Sequence, residues 1–314
     1  MIKYLLSRLL LAIPTLFIAL VIIFFLIRLI PGDPAQLMLG TVDDPEALAR
    51  IRSKFAFDKP ITTQFINWLW LLAHGDFGTS ISLQSPVLDV LLPSFGVTAS
   101  LVLPAVLIAT LIAVPAGSIA AWRQNTKSDA FIMTMATVAL SIPSFWLGLL
   151  MLLFLGVELN LFPVVGYISP LENLKEGLLY LVMPVTSLAL IEAGVLVRLM
   201  RSSTIDVARL EYITHARAKG LSEKTILWRH ALPNAMAPTW TMIGLTLGSL
   251  LGGAVVTETV FSLPGMGRLL VESIFARDFP VIQGCMVIIT SVYVCVNLVI
   301  DATYPIFSPG VLRD

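Results

Sequence analysis

The feature that most constrains this chain is a series of long apolar stretches that carry almost no charged residues. Residues 9–27 contain none at all, and a helix of about 20 apolar residues can cross the hydrocarbon core of a bilayer. Only 13% of the chain is charged, against roughly 25% in a soluble domain. The sequence therefore predicts an all-α integral membrane protein with six transmembrane helices. The other five stretches are residues 97–122, 130–157, 178–197, 235–257 and 281–300.

The basic side chains are distributed unevenly between the predicted loops, and this assigns the sides of the membrane. Lys3 and Arg8 precede the first stretch, Arg123 and Lys127 follow the second, and a larger group follows the fourth. Since lysine and arginine collect in cytoplasmic loops, both termini are expected in the cytoplasm. The 20 acidic and 20 basic residues cancel, so no overall positive field points to nucleic acid. The larger basic group is Arg198, Arg201, Arg209, Arg217, Lys219, Lys224 and Arg229.

The predicted spans divide the chain into four segments. The long second segment is too extended to be a simple connection between two helices, so we predict a folded lobe with a glycine-punctuated turn that contains Asp76. The segments are an N-terminal transmembrane helix at 1–30, a large extracytoplasmic lobe at 31–96, a core of five transmembrane helices at 97–301, and a cytoplasmic tail at 302–314. Helical patterns within the lobe cover residues 45–55 and 61–73.

A cytoplasmic loop at 200–233, within the core segment, has the pattern of a helix, a glycine break and a second helix. Gly220 can take the left-handed conformation that ends a helix, and Ser222 with Glu223 can begin the next one. An elbow of this shape suits a groove on a soluble partner. The alternative is a basic loop that only sets topology and meets anionic membrane lipid, and the pattern alone leaves both open.

Small residues recur at every fourth position in two of the predicted spans. Such a face lets two helices approach closely, and we favour helix packing over a pore-lining role for both. The positions are Ala105, Ala109, Ala113 and Gly117 in the second span, and Gly244, Gly248 and Gly252 in the fifth.

Glu192 is the one carboxylate deep inside a predicted span, and an ionisable residue at such a place is a functional hypothesis by default. The structural alternative is that Glu192 reaches towards the cytoplasmic end and pairs with Arg198, six residues further on. Both interpretations stay open at this point.

Several kinds of site are missing from the sequence. It contains no Gly-x-x-x-x-Gly-Lys-Ser/Thr phosphate loop, so the chain by itself is not expected to hydrolyse ATP. Its three histidines are scattered and have no metal-ligand spacing, and no nucleophile motif supports a membrane-bound hydrolase. A proton-coupled secondary transporter would need a cluster of polar groups at mid-membrane, and a purely structural membrane subunit is a further alternative.

A series of motifs along nearly the whole chain resembles one group, the inner-membrane permeases of the dipeptide, oligopeptide, glutathione and nickel ATP-binding-cassette importers. The ordered series makes this resemblance specific. It consists of Arg28-x-x-Pro-Gly-Asp-Pro34, Gly75-Asp-Phe-Gly-x-Ser80, Arg201-Ser-Ser203, Ala216-Arg-Ala-Lys-Gly220, Leu232-Pro-Asn-Ala235, Glu258-x-Val-Phe-x-x-Pro-Gly-Met-Gly-Arg-Leu269, Arg277-Asp-Phe-Pro-Val-Ile-Gln283 and Asn297-x-x-x-Asp301.

The resemblance implies a type I importer permease of the MetI-like fold in the bacterial inner membrane. The chain is similar to the first of two paired permeases. The implied partners are a second permease, two ATPase subunits that carry ATP and magnesium, and an extracytoplasmic solute-binding protein. The implied cargo is a dipeptide or oligopeptide, with glutathione or a nickel chelate as the alternative.

The resemblance also implies roles for individual residues. The elbow becomes the coupling segment that enters a cleft on the ATPase. The coupling residues are Thr214, His215, Ala216, Arg217, Ala218, Lys219, Gly220, Leu221, Leu232 and Pro233, and the candidates for an outer gate or a binding-protein contact are Phe261, Pro264, Gly265, Gly267 and Asp76. The sequence departs from the family pattern at two places in this segment. Thr214-His215-Ala216 stands where Glu-Ala-Ala is usual, and Pro233 replaces a common arginine.

Overall fold

The computed structural model describes residues 2–26, 35–36, 44–54 and 58–307, and these residues are mostly helical. The motif at residues 28–34 and the last residues of the predicted tail lie outside them. The helices are α1 (Ile2–Leu26), α2 (Pro45–Lys54), α3 (Ile61–Ala73), α4 (Val87–Trp122), α5 (Lys127–Ser141), α6 (Ser144–Met151), α7 (Leu174–Ala208), α8 (Glu211–Ala218), α9 (Glu223–Thr225), α10 (Leu232–Gly253), α11 (Val255–Val260), α12 (Met266–Phe275) and α13 (Phe279–Phe307). Two π-helical stretches, Leu152–Glu158 and Ile226–Ala231, continue α6 and α9.

Four of these helices are long and apolar enough to cross a membrane: α1, α4, α7 and α13. A fifth crossing results if α5 and the α6 segment form one broken span, since they are bent by 91°. The bend follows Ile142, which is extended as expected for a residue before proline. The predicted fifth span falls on α10, where proline, threonine and glycine dilute the apolar residues. The all-α membrane fold is therefore confirmed, whereas the count of six crossings stays a prediction.

The centre of the fold is the long contact between α4 and α7. Ala105, Ala109 and Ala113 are fully buried on α4. A Cβ added at Gly117 would lie 2.7 Å from the carbonyl oxygen of Val197, on α7. The small residues of the second predicted span therefore bring two backbones together, and the helix-packing interpretation of this face is confirmed.

The glycine face of α10 packs in the same manner on α13. A side chain at Gly244 would collide with Ile300, and one at Gly248 would collide with the ring of Tyr293. Gly252 has more room, with its nearest neighbour, Ile289, at 3.9 Å from an added Cβ. Helix packing accounts for this face too.

The fold has two distinct ends, because α4 is 36 residues long and spans about 54 Å. At one end, the amide of Val87, the first residue of α4, donates a hydrogen bond of 2.9 Å to the carbonyl oxygen of Gly78 in the preceding turn. Trp122, its last residue, packs against the elbow. Below, the end of the fold at Val87 is called the clasp end, after the hydrogen-bonded group described in the next section, and the end at Trp122 is called the elbow end. Helix α4 begins ten residues before the predicted span, inside the predicted lobe.

Candidate functional site: an elbow and a clasp at opposite ends

The elbow comprises residues 211–231, from the start of α8 to the end of the π-helical stretch. Gly220 separates its two arms and has a φ of +78°, the left-handed conformation that glycine adopts without strain. Ser222 begins the second arm, and its side chain accepts a hydrogen bond from the amide of Thr225. The predicted helix–glycine–helix pattern is confirmed.

The underside of the elbow is an apolar cluster of its own. Ile213 and Ala216, on α8, are buried against Met200 of α7 and Ile226 of the second arm. Because these side chains share one buried cluster with Ala235 of α10, a displacement of α8 should also move the ends of α7 and α10. Ala216, a predicted coupling residue, is therefore a buried packing residue of the elbow and does not lie on its exposed surface.

The opposite face of the elbow is open. Leu232 is half-buried, and Leu210, Tyr212 and Trp228 expose between 39% and 48% of their surface beside the elbow tip. Basic and apolar groups thus share one exposed surface, a composition that suits a protein partner. The predicted coupling residues on this surface are Thr214, His215, Arg217, Ala218, Lys219, Gly220, Leu221 and Pro233.

Two polar braces fix the angle of the elbow. Arg217 bonds the carboxylate of Glu223 at 2.9 Å across the glycine break, and its guanidinium lies 5.4 Å from the Trp122 ring centroid. On the other side, the amide of Asn234 donates to the Tyr212 hydroxyl at 3.0 Å and to the carbonyl oxygen of His230 at 2.9 Å. The second brace joins α8 to the start of α10.

A buried ion pair lies behind the elbow. Arg201, from the Arg-Ser-Ser motif, donates two hydrogen bonds of 2.7 Å to Asp129, at the start of α5. The aspartate side chain is only 6% exposed. Two parallel bonds of this kind fix orientation as well as charge. The pair joins the end of α7 to the turn between α4 and α5.

Arg201→Lys should lower the thermal midpoint of the purified protein although it keeps the positive charge. Lysine cannot supply two parallel bonds to one carboxylate, and the lost bond to a charged group is worth about 1.5–3 kcal/mol. Unfolding followed by tryptophan fluorescence measures the shift. Arg198→Lys, at an exposed position of the same helix, is the matched control, and equal midpoints for the two variants would contradict the assigned role of the pair.

The clasp is a carboxylate held by two serines from a distant part of the chain. Asp278, which is fully buried, accepts hydrogen bonds from the Ser80 hydroxyl at 2.5 Å, the Ser82 hydroxyl at 2.7 Å and the Ser82 amide at 3.0 Å. Burial alone would raise the pKa of Asp278, but these donors hold the pKa below its ordinary value. The clasp thereby joins two of the motifs noted in the sequence and fixes the start of α13 beside that of α4.

Asp278→Asn should destabilise the protein at neutral pH by about 1 kcal/mol, because hydrogen bonds to a charged acceptor are stronger than those to an amide. A carboxyl with a lowered pKa stabilises the fold fully above its ordinary value, and this contribution disappears as the pH falls through the folded value. The difference in thermal midpoint between wild type and variant should therefore be constant at neutral pH and shrink below pH 3.8. A difference that does not change with pH would contradict this assignment.

A second buried carboxylate, the glutamate hub, organises the neighbouring segment. Glu258 accepts a bond of 2.6 Å from the Thr98 hydroxyl on α4 and one of 2.9 Å from the amide of Arg268 at the start of α12. The Thr98 hydroxyl in turn accepts the Met266 amide at 2.8 Å. Burial raises the pKa of Glu258. The carboxylate thus caps α12 from outside that helix and ties it to α4.

The predicted gate residues lie around this hub, with one exception. Gly265 and Gly267 are tight against Glu258, where an added Cβ would collide with its carboxylate or with Val255. Phe261 is buried, and its ring lies 2.9 Å from a Cβ added at Gly148 of α6. Pro264 is exposed and lines a cavity of about 870 Å³ between the start of α4 and residues 167–172. Asp76 is exposed and only forms a local turn, accepting the Gly78 amide at 2.8 Å.

Glu192 is half-buried in α7, beside the side chain of Thr246 on α10. Among the described residues, the predicted pairing with Arg198 is absent, and Arg198 is exposed. Glu192 therefore joins two packed helices. Within the part of the chain that the structure describes, no group of three or more histidine, cysteine or acidic side chains could hold a metal ion.

Comparison with known proteins agrees with the resemblance. The family described as the binding-protein-dependent transport system inner membrane component matches residues 113–313, and its N-terminal companion matches residues 1–102. The chain belongs to this family of transport permeases. The permease is therefore a multi-pass inner-membrane component that works with a solute-binding protein and an ATPase.

Individual relatives cover the permease from end to end. It is 39% identical to a putative peptide transport system permease of Brucella abortus, with 98% of each chain covered. It is 38% identical to a glutathione transport system permease of Salmonella typhimurium and 35% identical to a dipeptide transport system permease of Alkalihalophilus pseudofirmus, with 99% of each chain covered.

Sequence reasoning missed the partners of several motif residues. Only the fold brings Asp129, Thr98 and Asn234 to Arg201, Glu258 and Tyr212. A sequence signal was available for Thr98, a polar residue at the start of an apolar run, since a buried polar group needs a partner. Which partner it finds depends on packing.

Proposed function

We propose that the permease is the first of two different permeases in an importer that takes up dipeptides or oligopeptides and is driven by ATP hydrolysis on two partner subunits. The main support for this proposal is the structure of the elbow. Its exposed face around Gly220 offers a surface to a soluble partner, while its underside shares one apolar cluster with α7 and α10. Movement of the partner would then reach the spanning helices without an intervening flexible link.

The proposed assembly uses both ends of the fold. The elbow end faces the cytoplasm in this proposal, with both termini, and it docks in a cleft on an ATPase. The clasp end faces outward and receives the solute-binding protein near Pro264 and the cavity beside it. The permease itself performs no covalent chemistry, and ATP and magnesium bind to the partner subunits.

Transport consists of alternating access in this scheme. Closure of the ATPases biases the pore between inward and outward access, and the solute moves when its binding protein delivers it. Peptides are the first choice of substrate, because relatives of full length carry peptide and dipeptide transport in their names. Glutathione is the second candidate, supported by the Salmonella relative of similar identity.

The test is reconstitution of the permease with its co-encoded partners in liposomes. ATP hydrolysis is measured after addition of each candidate binding protein loaded with peptide, glutathione or a nickel chelate. Stimulation by the peptide-loaded protein alone would support the proposal, and stimulation by glutathione alone would select the second candidate. If no ATPase co-purifies under any condition, the proposal fails.

A further inference from the structure

Helix α3, in the predicted external lobe, has an apolar surface that the described chain leaves uncovered. None of its residues is buried, and Ile66 and Trp70 are 64% and 67% exposed. Residues 61–73 contain no charged side chain, and the second half of the helix, from Trp68 to Ala73, is entirely apolar. Such a surface in water would be unfavourable, so it marks an interaction site.

Two aromatic side chains of α3 contact the first spanning helix. The Phe65 ring is 6.2 Å from that of Phe17 and 5.0 Å from that of Phe24, and the Trp68 ring is 5.5 Å from that of Phe24. Phe17 and Phe24 are seven residues apart, which is about 10 Å along α1. These ring contacts place α3 beside the half of α1 that is nearer to the clasp end.

Helix α1 itself crosses the membrane, and its outer surface is apolar. Leu10, Ile13 and Ile18 expose between 58% and 61% of their surface. Since Phe65 and Trp68 of α3 contact α1 at Phe17 and Phe24, the uncovered face of α3 lies beside this lipid-facing surface. We therefore expect the uncovered face of α3 to contact lipid.

The length of α3 decides whether the helix can span the membrane or can only lie at its surface. Its 13 residues are too few to cross a bilayer, and an apolar segment of this length is either a buried core helix or an interfacial one. Within the described part of the chain no residue of α3 is buried, which favours the interfacial helix. Trp68 and Trp70 also have the amphipathic rings that collect at the boundary between lipid and water.

We propose that α3 is an interfacial helix, which inserts Ile66, Trp70 and Leu71 into the leaflet at the clasp end, beside α1. The lobe then has a membrane-anchored part and a water-exposed part, with Lys59 at the entry to the anchored part. This anchor holds the turn at residues 75–80, and through it the clasp, at a constant height above the bilayer. The inference rests on family membership and on α3, and does not depend on the proposed substrate.

Spin labels test this inference in the complete transporter, reconstituted in liposomes. Cys285→Ala and Cys295→Ala remove the native thiols, and single cysteines at Ile66 and Trp70 then carry the nitroxide. Lys59→Cys is the matched control, an exposed residue just before the helix. Collision rates with oxygen, which concentrates in lipid, and with a water-soluble nickel chelate are measured for each label.

The labels at residues 66 and 70 should collide with oxygen severalfold more often, relative to the chelate, than the control label does. Free access of the chelate to both labels would place the helix in water and overturn the proposal. Protection from both reagents would mean that a protein partner covers the helix, and would overturn it as well. Retained ATP hydrolysis in each variant confirms that the labelled complex is intact.

Discussion

Gly220→Val is expected to abolish ATP-driven uptake while leaving the permease in the membrane. The residue has a φ of +78°, and a β-branched side chain is strongly disfavoured there. A Cβ at this position would meet no atom within 4 Å, so the substitution acts through the backbone and not through a clash. Relief of the strain would rotate α8 against the second arm and break the Arg217–Glu223 bond across the glycine.

Two further substitutions at the same residue separate conformation from side-chain size. Asparagine tolerates the left-handed region better than other residues with a Cβ, so Gly220→Asn should retain much of the transport, and Gly220→Ala should lie between Asn and Val. Uptake and ATP hydrolysis are measured in liposomes, and the amount of permease in the membrane fraction controls for insertion. Normal uptake by the valine variant at normal abundance would exclude the elbow as the coupling element.

The elbow could be predicted from the sequence because its signals are local. Gly220 and Ser222 each act on residues within one turn of the chain, so their types are enough to indicate a helix end and a helix start. The same holds for the spanning helices, whose apolar length is a property of a single segment.

The clasp and the hub could not be predicted in this way, because their partners are far apart in sequence. Ser80 and Asp278 are 198 residues apart, and Thr98 and Glu258 are 160 residues apart. Ser80, Glu258 and Asp278 each stand in a motif, but the pattern of a motif gives no distance to another part of the chain. Only the packing of α4 beside α13 and α12 brings them together.

The bend between α5 and α6 shows a different limit. The apolar run at residues 130–157 satisfies every requirement of a straight span, and Pro143 alone does not decide between a kink and a break. Whether the helix kinks or breaks depends on tertiary packing. In the bent arrangement, Gly148 of α6 packs closely against the Phe261 ring. A glycine in an apolar helix was the sequence signal for this close approach.

Glu258→Ala is expected to lower the thermal midpoint of the purified transporter more than any other single change at the clasp end. The alanine leaves the partly buried amide of Arg268 without its acceptor. Each orphaned group costs about 1–3 kcal/mol, and the loss of the side chain adds a cavity. The Thr98 hydroxyl loses its acceptor too, although the Ser94 carbonyl oxygen is 3.3 Å away.

Glu258→Gln is the matched control, because glutamine has nearly the same shape as glutamate but carries no charge. The glutamine oxygen can accept from the Arg268 amide, and its amide group can donate to the Thr98 hydroxyl, which then donates to Ser94. Since none of these hydrogen bonds requires a charge on the side chain, the glutamine variant should unfold near the wild-type midpoint. Equal losses for Ala and Gln would mean that the charge, and not the bonding of α12 to α4, stabilises this end. A large loss for Ala alone would establish that Glu258 holds the loop before α12 in place through hydrogen bonds.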